Sequence, residues 1–233
     1  MVTAGMIHSG LNVWIAILVG LVIGTVLGLV NGLAVTKGNV PPFIATLAMM
    51  TMARGATLVY SGGRPKSNLG EAFGFLGQGK ILSIPVPVII LFVVFIIAYY
   101  VLTQTATGRY IYATGSNEKA AKLSGIKTDY IKLLVYAVSG FTAALTGMVV
   151  TSMLDSASPT AGTGAELDAI AAVVLGGTSL SGGQGGVVGT IIGALIIGVL
   201  NNGLNLLDVS SYYQQLIKGI VILVAVLIDR RRR

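Results

Sequence analysis

Long apolar runs alternate along this chain with short polar breaks. A helix that crosses a bilayer needs about 20 apolar residues, because the hydrocarbon layer is roughly 30 Å thick and each residue rises about 1.5 Å. Residues 11–36 meet that requirement without a single charge. Residues 37–42 interrupt the run with Gly38, Pro41 and Pro42, and 43–60 form a second run broken only by Arg54. Residues 61–83 hold Arg64, Lys66, Glu71 and Lys80 with several glycines and little periodicity, and read as a loop. Residues 85–103 and 133–154 are a third and a fourth run, separated by the polar, basic segment 108–132. The uncharged stretch 169–207 is too long for one crossing, and its middle, 176–186, is rich in Gly and Ser. It divides into a short helix at about 167–177 and a full one at about 187–206. Residues 209–228, carrying Lys218, are the last run. The pattern predicts an all-α integral membrane protein, a polytopic bundle of transmembrane helices.

Composition excludes the soluble classes. Of 233 residues, 54% are hydrophobic and only 10% are charged, against about 25% charged in an ordinary soluble domain. The 32 glycines suit membrane helices, where small residues let backbones approach. There is no Cys, and His8 is the single His; disulfides, thiol chemistry and a His-based metal cluster are therefore excluded. No catalytic residue, cofactor or metal site is expected. The net charge of +7 would suggest nucleic acid in a soluble protein. Here it reflects basic residues retained on the cytoplasmic side, so no nucleic-acid partner is expected. Residues 1–10 lack the positive region of a cleavable signal peptide.

The same charges orient the bundle. Arg109, Lys119, Lys122, Lys127 and Lys132 cluster in one loop, and arginines 230–233 close the chain. Both groups belong inside, which requires an even number of crossings between them. The short helix at 167–177 must then cross, its shortfall made up by glycine-rich backbone at membrane depth, buried in protein. That gives about seven crossings, the N-terminus outside and the C-terminus cytoplasmic. The whole chain, 1–233, reads as one transmembrane domain with external loops at about 61–83 and 155–166.

Two glycine motifs resemble nucleotide sites. Residues 74–80, Gly-Phe-Leu-Gly-Gln-Gly-Lys, fit the first seven positions of a P-loop, but Ile81 stands where Ser or Thr would hold magnesium. The strand–loop–helix setting is also missing. Residues 180–184, Leu-Ser-Gly-Gly-Gln, spell the signature of ABC-type ATPases, yet they join two membrane segments. They read as a glycine-rich turn.

Longer stretches carry a more specific likeness. Residues 107–126, Thr-Gly-Arg-Tyr-Ile-Tyr-Ala-Thr-Gly-Ser-Asn-Glu-Lys-Ala-Ala-Lys-Leu-Ser-Gly-Ile, resemble the cytoplasmic coupling loop of sugar-type ABC importer permeases. Residues 159–178, 201–207 and 209–213 are similar to further stretches of that family. The resemblance runs from about residue 11 to 229. It implies the permease subunit of an ATP-driven importer without an ATPase site of its own, in the bacterial plasma (inner) membrane. The cargo would be ribose or a similar monosaccharide, delivered by a periplasmic or extracellular sugar-binding protein. The other partners implied are an ABC ATPase subunit, a second permease subunit in a homodimer, and membrane lipid. Family members carry about three further helices before the point where this chain starts, so a shortened N-terminus is expected.

Within the coupling loop, 118–124 consists of good helix formers, with Asn117 or Ser116 as N-cap and Gly125 as the C-terminal stop. Ala120 and Ala121 offer a small face. The resemblance makes Gly115, Asn117, Ala120, Ala121, Ser124 and Gly125 the residues that couple to the ATPase. From charge alone the segment is a solvated basic loop held inside. For the translocation path, Asn201, Asn202 and Asn205 supply uncharged amides on a late helix. Asn201 and Asn205 are four apart and share a face. Polar side chains in a membrane face the bundle interior, and interhelical hydrogen bonding accounts for them equally. Thr178, Ser179 and Ser181 could form a gate in the glycine-rich break, and Arg54 faces protein or water. Residues 24–28, Gly-Thr-Val-Leu-Gly, resemble 189–193, Gly-Thr-Ile-Ile-Gly, a hint of an inverted repeat. Two other readings are an ion-gradient transporter, for which Asp168 is the candidate carboxylate while Glu166 and Asp155 look external, and a truncated fragment that does not transport.

Overall fold

The computed structural model describes residues 1–231; arginines 232 and 233, part of the basic C-terminal group, lie outside the described residues. The described residues are helical with four two-residue strands. In order, α1 is Val2–His8, α2 Val13–Thr36, α3 Pro42–Ser61, β1 Lys66–Ser67, α4 Glu71–Gln78, β2 Lys80–Ile81, β3 Ile84–Pro85 and α5 Val86–Gln104. Then follow α6 Ala106–Ser116, α7 Glu118–Leu123, α8 Thr128–Met153, β4 Ser156–Ala157, α9 Ala165–Leu175, α10 Val187–Leu206 and α11 Ser211–Arg231. Among the described residues, five helices, α2, α3, α5, α8 and α10, are long and apolar enough to cross a membrane. Their outward side chains are apolar: Trp14 is 67%, Phe43 73% and Val199 72% exposed. Such a surface is stable in lipid and not in water.

The helix ends follow local chemistry. Asn12 caps α2, its side chain accepting the Trp14 N–H at 2.9 Å. Pro42 opens α3 at a position where no N–H is needed. Gly62 ends that helix at φ +58, a left-handed conformation that glycine adopts without a Cβ clash.

Two compact units make up the chain: Met1–Val94 with Asp129–Ala161, and Phe95–Thr128 with Gly162–Arg233. In the first, α2 crosses α8 at backbone distance. Gly20, Gly24, Gly28 and Gly32 are spaced by four and so line one face of α2. A Cβ on Gly24 would collide with Ala144, one on Gly28 with the Tyr136 carbonyl, and one on Gly140 with the Gly24 carbonyl. Beside this crossing, Ala4, Leu69, Phe73, Met148 and Ala157 form a buried apolar cluster.

The segment 61–83 is more ordered than a loop reading implies. Its helix α4 is anchored to the end of α8 by Ser152, which is fully buried. The Ser152 hydroxyl accepts the Gly77 N–H at 2.7 Å and donates to the Phe73 carbonyl at 2.6 Å. Asp155 accepts the Leu69 N–H at 3.0 Å, and β1 pairs antiparallel with β4 through Lys66↔Ala157 and Ser67↔Ser156. These partners lie some 75 to 90 residues away in sequence, which is why local periodicity does not reveal them.

In the second unit α9 and α10 interlock in the same manner as α2 and α8. A Cβ on Gly189 would strike the Gly176 carbonyl, and one on Gly193 the Ala172 carbonyl. Ala171, Ala172 and Ile197 are buried there, with Leu175 and Val221 packed on them. The similar pentapeptides 24–28 and 189–193 are thus both helix-crossing points.

Gly28→Val should destabilise the first unit by about 1–3 kcal/mol, the usual penalty for overpacking. Gly147→Ala, on α8 with open space around it, should be neutral or gain up to about 1 kcal/mol from helix propensity. Thermal unfolding in detergent measures both, and equal midpoints for the two variants would contradict the packing described.

Candidate coupling and translocation sites

The basic loop is built from two helices. Its first part, α6, is capped by Thr105, whose side chain accepts the Gly108 N–H at 3.2 Å. Asn117 separates α6 from α7 and caps α7 by accepting the Ala120 N–H at 3.0 Å. Gly125, at φ +84, ends the turn, and the Ser124 hydroxyl donates to the Ala120 carbonyl at 3.0 Å. Adjacent positions on a helix differ by about 100°, so Ala120 and Ala121 part company: Ala120 is exposed, while Ala121 is 5% exposed and points into the chain. Leu123 is the apolar side chain that stands out, 90% exposed among Lys119, Lys122 and Lys127. A lone leucine among lysines on a surface helix is the sequence signal for such a position.

Gly115 lies at the end of α6 and packs against the glycine-rich loop between α9 and α10. That loop contains the Leu-Ser-Gly-Gly-Gln motif. Its residues Gly177, Gly182 and Gly183 have φ of +84, +87 and +74, so they form turns and no helix N-terminus opens on them. Within the loop Ser179 is buried, and its N–H donates to the Gln184 carbonyl at 3.0 Å. Thr178 is half-buried against Gly185. The other glycine motif, 74–80, is helix α4 followed by a strand residue, with the Gly77 N–H committed to Ser152.

A polar group ties together three helices of the second unit. Lys218 of α11 donates to Asp168 Oδ2 of α9 at 2.9 Å, with both side chains about one quarter to one third exposed. Asn201 of α10 donates to the same oxygen at 3.4 Å. The other Asn201 atom, Oδ1, is buried without a hydrogen-bond partner among the described residues. An ammonium in an apolar helix is stabilised by a counter-charge, and Asp168 supplies it to Lys218. The carboxylate considered for ion coupling is therefore held by a lysine. Asn205 does not share the bond of Asn201: it accepts from Gln214 Nε2 at 2.8 Å, and the same nitrogen donates to the Val209 carbonyl at 2.8 Å. This braces the turn from α10 to α11. Asn202 is exposed. Arg54 sits half-buried on α3, in the first unit, and forms no ion pair among the described residues.

Comparison with known proteins places this geometry. Residues 1–226 match the family described as branched-chain amino acid transport system / permease component. The chain is 60% identical over 231 residues to the ribose import permease protein of Bacillus subtilis (strain 168), covering 98% of this chain and 72% of that protein. It is 52% identical over 237 residues to the ribose import permease protein of Escherichia coli (strain K12), covering 100% and 74%. It is 41% identical over 233 residues to the D-allose transport system permease protein of the same strain, covering 99% and 71%. No solved structure matches the chain. With long apolar helices and this match along nearly its whole length, the chain is a multi-pass protein of the bacterial inner membrane and belongs to the ABC importer permeases, as one of the sugar-type members.

Proposed function

We propose that this permease carries ribose, released to it by a sugar-binding protein outside and driven by an ABC ATPase inside, as one of two identical permease subunits. The supporting observation is graded identity: 60% and 52% to two permeases named for ribose import, against 41% to one named for D-allose. The uncharged polar side chains suit a neutral polyol, which needs hydrogen bonds and no counter-ion. Asn201, Asn202, Thr178, Ser179 and Arg54 are our candidates for the path. Asn205 is retained with them, although its bond to Gln214 gives it a bracing role as well.

For the ATPase, α7 is the docking element. Ala120, Leu123 and Ser124 form its outward face, Asn117 and Gly125 define its ends, and Ala121 roots it in the chain. In this reading α9 completes a seventh crossing, the N-terminus is outside and the basic segments are inside. Support for that orientation is the count of Lys and Arg: Lys37, the five of the basic loop and arginines 230–233 inside, against Arg64, Lys66 and Lys80 outside.

Proteoliposomes holding the permease, its ATPase and a ribose-binding protein should accumulate labelled ribose only with ATP inside the ATPase compartment. Excess D-allose should compete poorly. Uptake driven by an ion gradient without ATP, or preference for D-allose, would reject the assignment.

Topology is open to a direct check, since the chain has no Cys. Leu82→Cys, at a hairpin tip 93% exposed, and Lys119→Cys should react with an impermeant maleimide from opposite sides of the membrane. Reaction of both from one side contradicts the orientation.

Docking through α7 predicts that Leu123→Asp or Ala120→Asp weakens retention of the ATPase subunit by about 10-fold or more, equivalent to about 1.4 kcal/mol. Insertion should stay normal, because α7 lies outside the long apolar helices. Lys119→Glu is the comparison for net charge; if it does as much as Leu123→Asp, shape on α7 is irrelevant.

A further inference from the structure

The loop that carries the Leu-Ser-Gly-Gly-Gln motif is compact. The Gly182 N–H donates to the Ser179 carbonyl at 3.1 Å, and the Ser181 N–H to Ser179 Oγ at 3.2 Å. Together with the bond from the Ser179 N–H to the Gln184 carbonyl, these close residues 179–184 into a compact turn. The turn rests on the end of α6 backbone to backbone. A Cβ on Gly115 would lie 2.6 Å from the Gly183 nitrogen, one on Gly182 2.7 Å from the Gly115 carbonyl oxygen, and one on Gly183 2.6 Å from Ser116 Cα. One turn earlier on α6, the Tyr112 hydroxyl donates to the Gly185 carbonyl at 3.0 Å. At Gly115, Gly182 and Gly183 the two segments meet through backbone atoms, so a displacement of one has little slack in which to be lost.

Both ends of this contact lead somewhere. Ser116 directly precedes Asn117, the cap of α7. On the other side the Thr178 N–H donates to the Val173 carbonyl at 2.9 Å, tying the loop to α9, and Gly176 meets Gly189 where α9 crosses α10. Helix α9 has 11 residues, a rod of about 16 Å. Asp168 in its first turn holds Lys218 and Asn201.

We propose that the contact of Gly115 and Ser116 with Gly182 and Gly183 passes the movement of α7 into α9 and α10. Gly115, Gly182 and Gly183 are then positioning residues for transport, and the glycine motif serves as a mechanical joint. The proposal rests on α7 being the element that the ATPase moves. A two-ended contact of this kind is tested by separating assembly from coupling.

The experiment uses the complete transporter in proteoliposomes and reads two quantities: sugar moved per ATP hydrolysed, and ATPase subunit retained on the purified complex. Gly115→Ala and Gly183→Ala should lower sugar per ATP by about 10-fold while retention stays at the wild-type level. Gly186→Ala, in the same loop but extended and with open space around it, should keep the wild-type ratio. A wild-type ratio in both test variants overturns the proposal. So does loss of the ATPase subunit in them, which would put Gly115 and Gly183 in the docking surface instead. Leu123→Asp reports on docking separately: if the ATPase stays bound and coupled there, the reading of α7 fails whatever the glycine variants do. Should the alanine variants not reach the membrane, Tyr112→Phe decides, since it adds no volume and removes one bond. A roughly fivefold drop in sugar per ATP supports the joint, and an unchanged ratio overturns it.

Discussion

Helices in lipid gain little by hiding apolar side chains from one another, since the tails around them are equally apolar. What remains is close approach of backbones and the few polar groups that find each other. Both units of this permease are built on that constraint. In one, Gly24 and Gly28 of α2 meet Gly140 and Tyr136 of α8; in the other, Gly189 and Gly193 of α10 meet Ala172 of α9 and Gly176 at its C-terminal end. Each contact is backbone against backbone, so a single methyl group would force the helices apart. The abundance of glycine and the scarcity of charge are two sides of the same solvent requirement.

The polar groups are used sparingly and in defined places. Ser152 bonds α4 to the end of α8 inside the first unit. Asp168 gathers Lys218 and Asn201 from two neighbouring helices in the second. A buried or half-buried charge is tolerated when a counter-charge and a further donor share the cost of desolvation. Asp168 thereby becomes a structural hub of the second unit.

In the proposed reading, function depends on motion passing from an ATPase subunit into the membrane helices. The short helix α7 has the right form for this: capped by Asn117, stopped at Gly125, rooted by Ala121 and presenting Leu123. The glycine-rich loop beside it joins that helix to the part of the bundle where Asn201 and Asp168 sit. Tight contacts of this type transmit displacement because protein packing leaves few voids to absorb it.

Much of this was legible in the sequence, for a clear reason. The bilayer imposes a length and an apolar composition on each crossing, and both are local properties. Hence the run expected at 187–206 coincides with α10, those at 43–60 and 85–103 agree with α3 and α5 to within a residue at each end, and Asn117 and Gly125 bound α7 as their chemistry demands. Helix α8 begins earlier than its apolar run, at Thr128, because its first turns are polar yet helical. The remainder depended on residues far apart in the chain. The anchoring of α4 by Ser152, the pairing of Asp168 with Lys218 and the seating of Gly183 on Ser116 join positions about 50 to 80 residues apart. No local pattern encodes such partners; hydrogen-bond reach and backbone proximity exist only once the helices have packed.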